Sequence, residues 1–222
     1  MQRTKYHRTY HLPWSFLKKD DKRLYDLSIF EGKDIAVNVK MDGENTSVYP
    51  DGIIHARSLD SQHNYTRDWI KRMASILRFD IPENHRFVFE NVNYYHAIEY
   101  KELQSYAFLL SIWHGDTRIS YDESKEYAAL LDLVMPEELY RGPFDAKILE
   151  SIANTMDLDK NEGYVVTTTE PVHVSDIHNN IAKFVRNNHV QPNQAGEDVH
   201  WLKRTYPNAL SGTLPIKPSY MR

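Results

Sequence analysis

Short runs in which apolar and polar residues alternate occur along much of the chain, and this period of two is typical of β-strands. In residues 35–40, the branched residues Ile35, Val37 and Val39 alternate with less apolar neighbours. The alternation predicts a strand in which Lys40 lies on the face opposite the three branched residues.

A turn follows this strand and leads into a hairpin. Asp42-Gly43 interrupts the alternation, and the turn signal Pro50-Asp51-Gly52 separates residues 46–49 from residues 53–58. Glycine supplies the turn geometry that other residues resist. Lys40 is therefore placed at the edge of a sheet just before a turn, where it is either a reactive group or an ordinary solvated lysine.

Four later segments have strand patterns. They are residues 86–91, 106–113, 161–166 and 181–186. The first places Phe87 and Phe89 on one face and Val88 and Glu90 on the other. The second has almost no polar alternation, so it is expected to be buried on both faces. Glu162 lies at the start of the third strand, so this strand carries a carboxylate as the first strand does with Glu90.

Three segments repeat apolar residues at helical spacing and are expected to be packing helices. The first runs from about Thr66 to Arg78, because Pro82 bars continuation beyond it. The third is expected to begin behind a cap at Asp145. The apolar stripes of the second and third helices are Tyr127, Leu130, Leu131 and Val134, and Ile148, Ile152 and Met156.

Composition and charge narrow the class of protein. The 222 residues are 41% hydrophobic and carry a formal net charge of −4, so one main domain is expected, and a nucleic-acid partner must be held by a local patch. The lack of cysteine excludes disulfides and thiolate metal sites. With no long apolar run and no signal-like start, we expect a cytoplasmic protein outside the membrane. The 11 histidines show no metal-ligand spacing.

One domain over residues 1–222 is expected, because the chain shows no internal repeat, low-complexity linker or clear boundary. An arm of about 33 residues precedes the first strand and mixes basic, aromatic and proline residues. Its side chains either grip phosphates and stack on bases, or pack onto the domain. From about residue 187 to 222, the chain is a loop-rich tail whose only dense cluster is 201–204.

One lysine, two carboxylates and three cations lie on or near the predicted strands. They are Lys40, Glu90, Glu162, Arg57, Lys183 and Arg186. The set suits phosphoryl chemistry, because cations neutralise phosphate oxygens, carboxylates hold hydrated Mg²⁺ or sugar hydroxyls, and Lys40 can attack the α-phosphorus of a nucleoside triphosphate. Attack needs the free amine, so neighbouring cations, partial burial or a metal must lower the lysine pKa from about 10.4. Glu90 has a structural ion pair as its alternative role.

The order of these residues resembles the covalent nucleotidyltransferase superfamily and, within it, the ATP-dependent RNA ligases of the second, phage-type group and their bacterial and phage relatives. Five segments resemble the motifs of that family in their usual order. They are Lys40-Met41-Asp42-Gly43-Glu44-Asn45, Ala56-Arg57-Ser58, Phe89-Glu90-Asn91, Glu162-Gly163-Tyr164-Val165-Val166 and Ala182-Lys183-Phe184-Val185-Arg186. Residues 8–15 and 186–191 also resemble a compact group of RNA ligases.

The resemblance implies an α/β (α+β) fold with two antiparallel sheets flanked by helices, the ATP-grasp-like nucleotidyltransferase domain. It also implies three chemical steps. Lys40 takes AMP from ATP, the AMP passes to a 5′-phosphate on RNA, and a 3′-hydroxyl displaces it to seal the strand. Mg²⁺, or Mn²⁺ in its place, would serve each step. Fewer than about 40 residues follow the fifth motif, so no separate oligonucleotide-binding domain is expected.

The resemblance assigns roles to individual residues. The catalytic residues are Lys40, Lys183 and Arg186, and the metal ligands are Glu90 and Glu162. The nucleotide-binding residues are Lys40, Asp42, Gly43, Asn45, Arg57, Glu90, Phe108, Leu110, Glu162 and Lys183. Arg3 and Arg8 are assigned to the 5′-phosphate of the RNA.

Three positions depart from the family pattern and leave alternatives open. Val39 replaces a residue that is often acidic, Leu110 replaces an aromatic residue that stacks on the base, and Arg186 replaces a second lysine. Because neither valine nor leucine offers stacking or a hydrogen bond, Phe108 is expected to take over the stacking. The alternatives are a DNA nick ligase, a GTP-using capping-type enzyme, and an RNA-binding relative without catalysis.

Overall fold

The computed structural model describes residues 2–18, 21–61, 63–187 and 208–211. Its strands are β1 (Tyr10–His11), β2 (Asp34–Val39), β3 (Glu44–Val48), β4 (Ile54–Ala56), β5 (His85–Asn91), β6 (Ala107–His114), β7 (Thr117–Arg118), β8 (Glu138–Pro143), β9 (Gly163–Thr168), β10 (Val172–His173) and β11 (Ile181–Val185). Its α-helices are α1 (Asp68–Leu77), α2 (Tyr121–Leu130) and α3 (Ala146–Thr155). Short 3₁₀ helices cover Ser28–Phe30, Tyr65–Arg67 and Val174–Asn179.

The strands form two sheets. The first sheet has the order β1-β11-β9-β2-β8, and the second has the order β10-β7-β6-β5-β3-β4. All pairs are antiparallel except β1 with β11, which is parallel. The expected α+β class with two antiparallel-rich sheets is confirmed. Because β2 belongs to the first sheet and β3 to the second, residues 40–43 cross from one sheet to the other.

Each sheet buries a hydrophobic face. The core of the first sheet includes Phe30, Ile35, Val37, Leu149, Tyr164 and Val166, with α3 packed over it. The core of the second sheet includes Val48, Ile70, Met73, Phe87, Phe89, Leu109 and Ala128, which join β5 and β6 to α1 and α2. Apolar burial is the main stabilising contribution to such layers, so the alternation along the strands sets which face turns inward.

The predicted helices are all present, but the second lies earlier than its apolar stripe indicates. The hydroxyl of Ser120 accepts a hydrogen bond from the backbone N–H of Glu123, whose carboxylate accepts one from the backbone N–H of Ser120. This capping box starts α2 at Tyr121, and the helix ends at Leu130, which is 78% exposed. The prediction that the apolar residues from Tyr127 to Val134 form one face of a helix was therefore wrong. The cap at Asp145 is confirmed.

A β-bulge interrupts the pairing of β5 with β6. Val88 pairs with Ser111 and Phe89 pairs with Leu109, so Leu110 has no partner across the ladder. A bulge lets both flanking segments keep their hydrophobic faces inward while it redirects the extra side chain. Leu110 consequently lines a cavity between the sheets.

The N-terminal arm packs onto the domain. Tyr10–His11 adds a parallel strand beside β11, and the ring of His7 lies 5.8 Å from that of Trp113. The carbonyl oxygen of Thr4 accepts a hydrogen bond of 2.8 Å from Arg86. The packing interpretation of the arm is confirmed, and the same segment also lines the cavity.

Two regions noted in the sequence lie outside the described residues. They are residues 188–191 of the segment after the fifth motif, and the cluster Trp201–Arg204 in the tail. Within the described ranges, no helix is long and apolar enough to cross a membrane.

Candidate functional site

A cavity of about 490 Å³ lies between the two sheets. The first sheet contributes Asn38, Val165, Thr167, Ile181 and Lys183, and the second contributes Asn45, Glu90, Leu109, Leu110, Ser111 and Arg118. Lys40 lies at the crossing between the sheets and also lines the cavity. This volume is in the range of small-molecule sites in proteins.

Residues at the start of β9 hold Lys40 in place. Its backbone N–H donates a hydrogen bond of 2.9 Å to the carbonyl oxygen of Gly163, and its ammonium forms an ion pair with the buried carboxylate of Glu162. A Cβ at position 163 would overlap the carbonyl oxygen of Phe184, so only glycine allows this close approach of β9 to β11. The sequence motif thus packs Glu162 directly against the lysine.

The ion pair changes the expectation for the lysine. Burial would lower the pKa of Lys40, but the carboxylates of Glu162 and Glu90 outweigh burial and raise the pKa above its ordinary value. The expectation that neighbouring cations and burial lower it was wrong for the protein alone. Lys40 is an ammonium ion in this arrangement and must lose its proton before it can act as a nucleophile.

Glu90 lies on β5 at the same end of the cavity. Burial raises the pKa of its carboxyl to about 7, while the positive charge of Lys40 acts in the opposite direction. Its Oε1 accepts a hydrogen bond of 3.1 Å from the backbone N–H of Gly43. Glu90 therefore gains its negative charge near neutral pH, a property common among residues of functional sites.

Asp42 and Gly43 shape the crossing. Oδ2 of Asp42 accepts hydrogen bonds from the backbone N–H groups of Ala97 (2.6 Å) and Ile98 (2.9 Å), which ties the loop after β5 to the crossing. Asp42 is buried and is not among the described residues that line the cavity. A Cβ at position 43 would overlap the backbone oxygen of Asn91, so the crossing approaches the end of β5 this closely only because residue 43 is glycine.

Three of the predicted cations reach the cavity. Lys183, Arg57 and Arg8 line it from β11, from the segment after β4 and from the N-terminal arm. Burial and the charge of Lys40 lower the pKa of Lys183 to about 8. Positive charges that line a partly buried cavity favour the binding of phosphate oxygens.

Two other predicted cations are held elsewhere. Arg3 forms an ion pair with Asp51, and its guanidinium lies 4.1 Å from the ring centre of Tyr49. Arg186 donates a hydrogen bond to the carbonyl oxygen of Leu158. Neither is among the described residues that line the cavity. The roles expected for Arg3 and Arg186 thus have no geometric support in this arrangement.

The residue expected to stack on a base also lies elsewhere. Phe108 packs with Val39 and Met41 in a small apolar cluster, and it is not among the described lining residues. Leu109 and Leu110 occupy the cavity wall instead, because the bulge at Leu110 redirects that part of β6. Aliphatic side chains therefore form the apolar surface there.

Several lining residues carry no recognisable signal in the sequence. Arg118 is buried and donates hydrogen bonds to the carbonyl oxygens of Thr168 (2.7 Å) and Glu170 (2.9 Å). Tyr121 lies at the start of α2, far along the chain from Lys40. Asn38 could have been predicted from the sequence, because it lies two residues before Lys40 and therefore on the same face of the extended segment.

The donor set fits a hard divalent cation. Glu90 and Glu162 both lie close enough to Lys40 to act on its pKa. Oδ1 of Asn45 is buried without a hydrogen-bond partner among the described residues, and it lines the cavity. Mg²⁺ is usually bound by one or two carboxylates together with water and substrate phosphates. Glu90 lines the cavity, whereas Glu162 is buried against Lys40 and is not among the described lining residues. These two carboxylates are the side chains that would hold such an ion.

Comparison with known proteins places this geometry in context. A family model described as RNA ligase matches residues 33–185, which is more than half of the chain. A search of curated proteins finds no match.

Solved structures share the fold. The Naegleria gruberi RNA ligase with pyrophosphate is 18% identical over 82% of this chain and 59% of its own, with a TM-score of 0.51. A variant of that ligase with AMP and Mn is 17% identical over 72% and 52%, with a TM-score of 0.51. An archaeal ATP-dependent RNA ligase is 10% identical over 82% and 48%, with a TM-score of 0.55. The chain therefore spans about half the length of these proteins.

Proposed function

The chain belongs to the RNA ligase family, and we propose on that premise that it is an ATP-dependent RNA ligase joining 3′-hydroxyl and 5′-phosphate ends. The observation that carries this function is the position of Lys40. Its side chain lies at the crossing between two sheets and lines a cavity large enough for a nucleotide. The carboxylates of Glu162 and Glu90 act on its charge, and Arg8, Arg57 and Lys183 line the same cavity. The similar solved proteins include ligases with AMP, ATP and Mn, which agrees with ATP as the substrate.

In the first step, Nζ of Lys40 attacks the α-phosphorus of ATP. A nitrogen–phosphorus bond forms, the bond from the α-phosphorus to the bridging oxygen breaks, and pyrophosphate leaves. Negative charge develops on the phosphates in this step. The cations Arg8, Arg57 and Lys183 line the cavity and would stabilise that charge.

The proton on Lys40 must leave before attack. Glu162 already holds the ammonium in a hydrogen bond, so its carboxylate can orient the lysine and accept the proton that leaves Nζ. Glu90 and Glu162 are the carboxylates that would hold Mg²⁺, whose positive charge would offset their raising effect on the pKa of Lys40. Burial acts in the same direction and favours the free amine.

The later steps transfer the nucleotide to RNA and seal it. The AMP moves from Lys40 to the 5′-phosphate of RNA, and a 3′-hydroxyl then attacks that phosphorus and displaces AMP. Arg8 belongs to the N-terminal arm and lines the cavity, which supports its proposed contact with the 5′-phosphate of the RNA.

Incubation with α-³²P-labelled ATP and Mg²⁺ tests the first step. The wild type should retain label on the protein after denaturation, and Lys40→Ala should retain none. Lys147→Ala is the matched control, because Lys147 is an exposed lysine on α3. Label on the Lys40→Ala protein, or none on the wild type, would contradict the function.

Substrates with RNA or DNA on either side of the break test the partner. RNA ends should accept AMP at the 5′-phosphate and be joined. A preference for DNA on both sides of the break, or for GTP in the labelling assay, would replace this function by one of the alternatives.

A further inference from the structure

The ammonium group of Lys183 lines the cavity without a partner in the described part of the chain. No described residue forms a hydrogen bond or an ion pair with it, although the carboxylate of Asp21 lines the same cavity and is close enough to act on the pKa of Lys183. The neighbouring Lys40 shows the usual alternative, because its ammonium is paired with Glu162. Lysines that are partly buried ordinarily pair with a carboxylate. The fold must therefore keep Asp21 and Lys183 apart.

His11 lies between these two side chains. β1 pairs in parallel with β11, and His11 lies opposite Lys183 in this pair. On its other side, β1 is joined by backbone hydrogen bonds to Lys22 (2.8 Å) and Leu24 (2.7 Å), in the segment that begins at Asp21. Paired residues of adjacent strands point to the same face. The imidazole of His11 is therefore placed between Lys183 on β11 and Asp21 on the next segment.

Both ring nitrogens of His11 are engaged. Nδ1 lies 2.7 Å from the hydroxyl of Ser15, and Nε2 lies 3.3 Å from Oδ2 of Asp21. The Ser15 oxygen already accepts a hydrogen bond of 2.9 Å from the backbone N–H of Val185, so its proton goes to Nδ1, the nearer of its two acceptors. The ring proton is then assigned to Nε2, which is buried and faces Asp21 with no hydrogen bond to any other described residue. His11 thus presents its donor to Asp21.

The charges around this row favour an uncharged His11. Burial and then the positive charge of Lys183 lower the pKa of His11 to about 4, although Asp21 acts in the opposite direction. Near neutral pH, the ring is therefore a neutral spacer with one donor. The charged groups that act on the pKa of Lys183, in addition to burial, are Lys40, Asp21, Glu162 and Arg57.

Resting on the proposed function, we propose that His11 is a positioning residue that holds the carboxylate of Asp21 away from Lys183, so that the ammonium of Lys183 stays available to the phosphates of ATP. An ion pair between Asp21 and Lys183 would neutralise a phosphate-binding charge and would have to break when ATP binds. Ser15 fixes the ring that prevents this pair. The N-terminal arm thereby acts on the nucleotide site through a buried side chain.

Removal of the ring tests this role, and a second substitution should reverse the effect. His11→Ala should raise the KM for ATP in nucleotide transfer to Lys40 about tenfold, because Asp21 can then pair with Lys183. His11→Ala combined with Asp21→Asn should bring the KM back to within about twofold of the wild type, because asparagine carries no charge. A purely structural defect at His11 would not be repaired in this way. His11→Ala combined with Asp116→Asn is the matched control and should keep the raised KM, since Asp116 is exposed in the turn between β6 and β7.

Two variants of Asp21 leave the buried ring in place. The side chain of Asp21 is 31% exposed, so the longer carboxylate of Asp21→Glu can be accommodated and reaches past His11 toward Lys183. The KM for ATP should rise about fivefold in Asp21→Glu, and it should fall up to about threefold in Asp21→Asn, which removes a negative charge from the cavity. If His11→Ala does not fold, these opposite shifts decide the question. Shifts of the same sign in both variants, or a KM of His11→Ala that Asp21→Asn does not restore, would overturn the role of His11.

Binding of α,β-methylene-ATP, which cannot release pyrophosphate, separates this inference from the function on which it rests. Its Kd, measured by calorimetry, should change across the variants in the same pattern as the KM for ATP. A wild type that binds the analogue with that pattern but forms no bond to AMP overturns the proposed ligase and supports the role of His11. A wild type that transfers AMP while His11→Ala keeps the wild-type Kd overturns the role of His11 alone. A wild type that does not bind the analogue overturns both.

Discussion

Lys40 and Glu162 form an ion pair in which the carboxylate is 3% exposed. The pair joins the end of β2 to the residue just before β9, and the backbone bond from Lys40 to Gly163 runs beside it. Breaking a buried pair by removing one partner is more disruptive than losing a surface pair, because the remaining charge stays buried. The arrangement thus holds the lysine in place but keeps it protonated.

Glu162→Gln should make the amine of Lys40 more reactive in the protein without nucleotide. Glu162 raises the pKa of Lys40, so its removal lowers that pKa and increases the free amine at a given pH. An amine-reactive reagent should label Lys40 of the variant at a lower pH than Lys40 of the wild type. Mass spectrometry of samples labelled across a range of pH measures this shift. Transfer of AMP from ATP should nevertheless fall more than about tenfold, because the carboxylate that orients the lysine loses its charge.

Glu150→Gln is the control for this variant, because Glu150 is an exposed residue of α3. An unchanged labelling profile for Lys40 in Glu162→Gln would refute the influence of the ion pair on the lysine.

Lys183→Arg should remove a pH dependence of ATP binding. The pKa of Lys183 is lowered to about 8, so this residue is charged below that pH and becomes neutral above it. The KM for ATP in the wild type should rise as the pH increases beyond about 8, since a phosphate-binding charge is lost. Arginine stays charged throughout. Steady-state KM values between about pH 7 and pH 9 test this, and an equal rise in both proteins would argue against it.

Glu90→Gln should stabilise the fold at high pH but not at low pH. The folded pKa of about 7 lies above the ordinary glutamate value of 4.5, so the folded state binds the proton more tightly than the unfolded state. The stabilising effect of this proton is present below the unfolded pKa and is lost as the pH rises through the folded pKa. Glutamine stays neutral, so the variant should gain about 3 kcal/mol relative to the wild type between about pH 4.5 and pH 8.

Urea unfolding of both proteins at the two pH values measures this difference. Other titrating groups are shared by the two proteins and cancel from it. A stability difference that does not change with pH would mean that Glu90 ionises normally in the folded state.

Gly43→Ala should destabilise the fold and prevent transfer of AMP to Lys40. The added Cβ would overlap backbone atoms of Asn91, and backbone cannot move aside as a flexible side chain can. The expected loss is about 2 kcal/mol or more of the free energy of unfolding. Gly32→Ala is the control: Gly32 has φ of +73° and an added Cβ there would meet no atom within 4 Å, so only the strain of a left-handed residue, about 1 kcal/mol, should result.

Arg8→Ala and Arg3→Ala should have different effects on RNA. Arg8 lines the cavity, so its loss should raise the KM for 5′-phosphate RNA about tenfold. Arg3 is held by Asp51 and Tyr49 on the hairpin, so its loss should change that KM less than about twofold. The KM for RNA at saturating ATP measures both, and a larger effect for Arg3→Ala would restore the role expected from the sequence.

Local patterns determined much of the architecture. The alternation of residues 35–39 and the turn at Asp42-Gly43 predicted β2 and its end, because side-chain period and turn geometry depend on neighbouring residues. The hairpin around Pro50-Asp51-Gly52 and the cap at Asp145 are present for the same reason. The order of the motifs also led to the family that the family model identifies.

The sequence by itself therefore determined seven of the eleven strands, where Lys40 lies at the end of its strand, and the family, but it gave no strand at β1, β7, β8 or β10. Only the tertiary structure decided the state of Lys40, since its raised pKa comes from Glu162 and Glu90 on other parts of the chain. It also decided that the bulge turns Leu110 into the cavity while Phe108 packs elsewhere, and that Tyr121, distant in the chain, orients Asn38. Charge interactions, bulges and long-range hydrogen bonds depend on which segments meet in space, and no local pattern encodes that meeting.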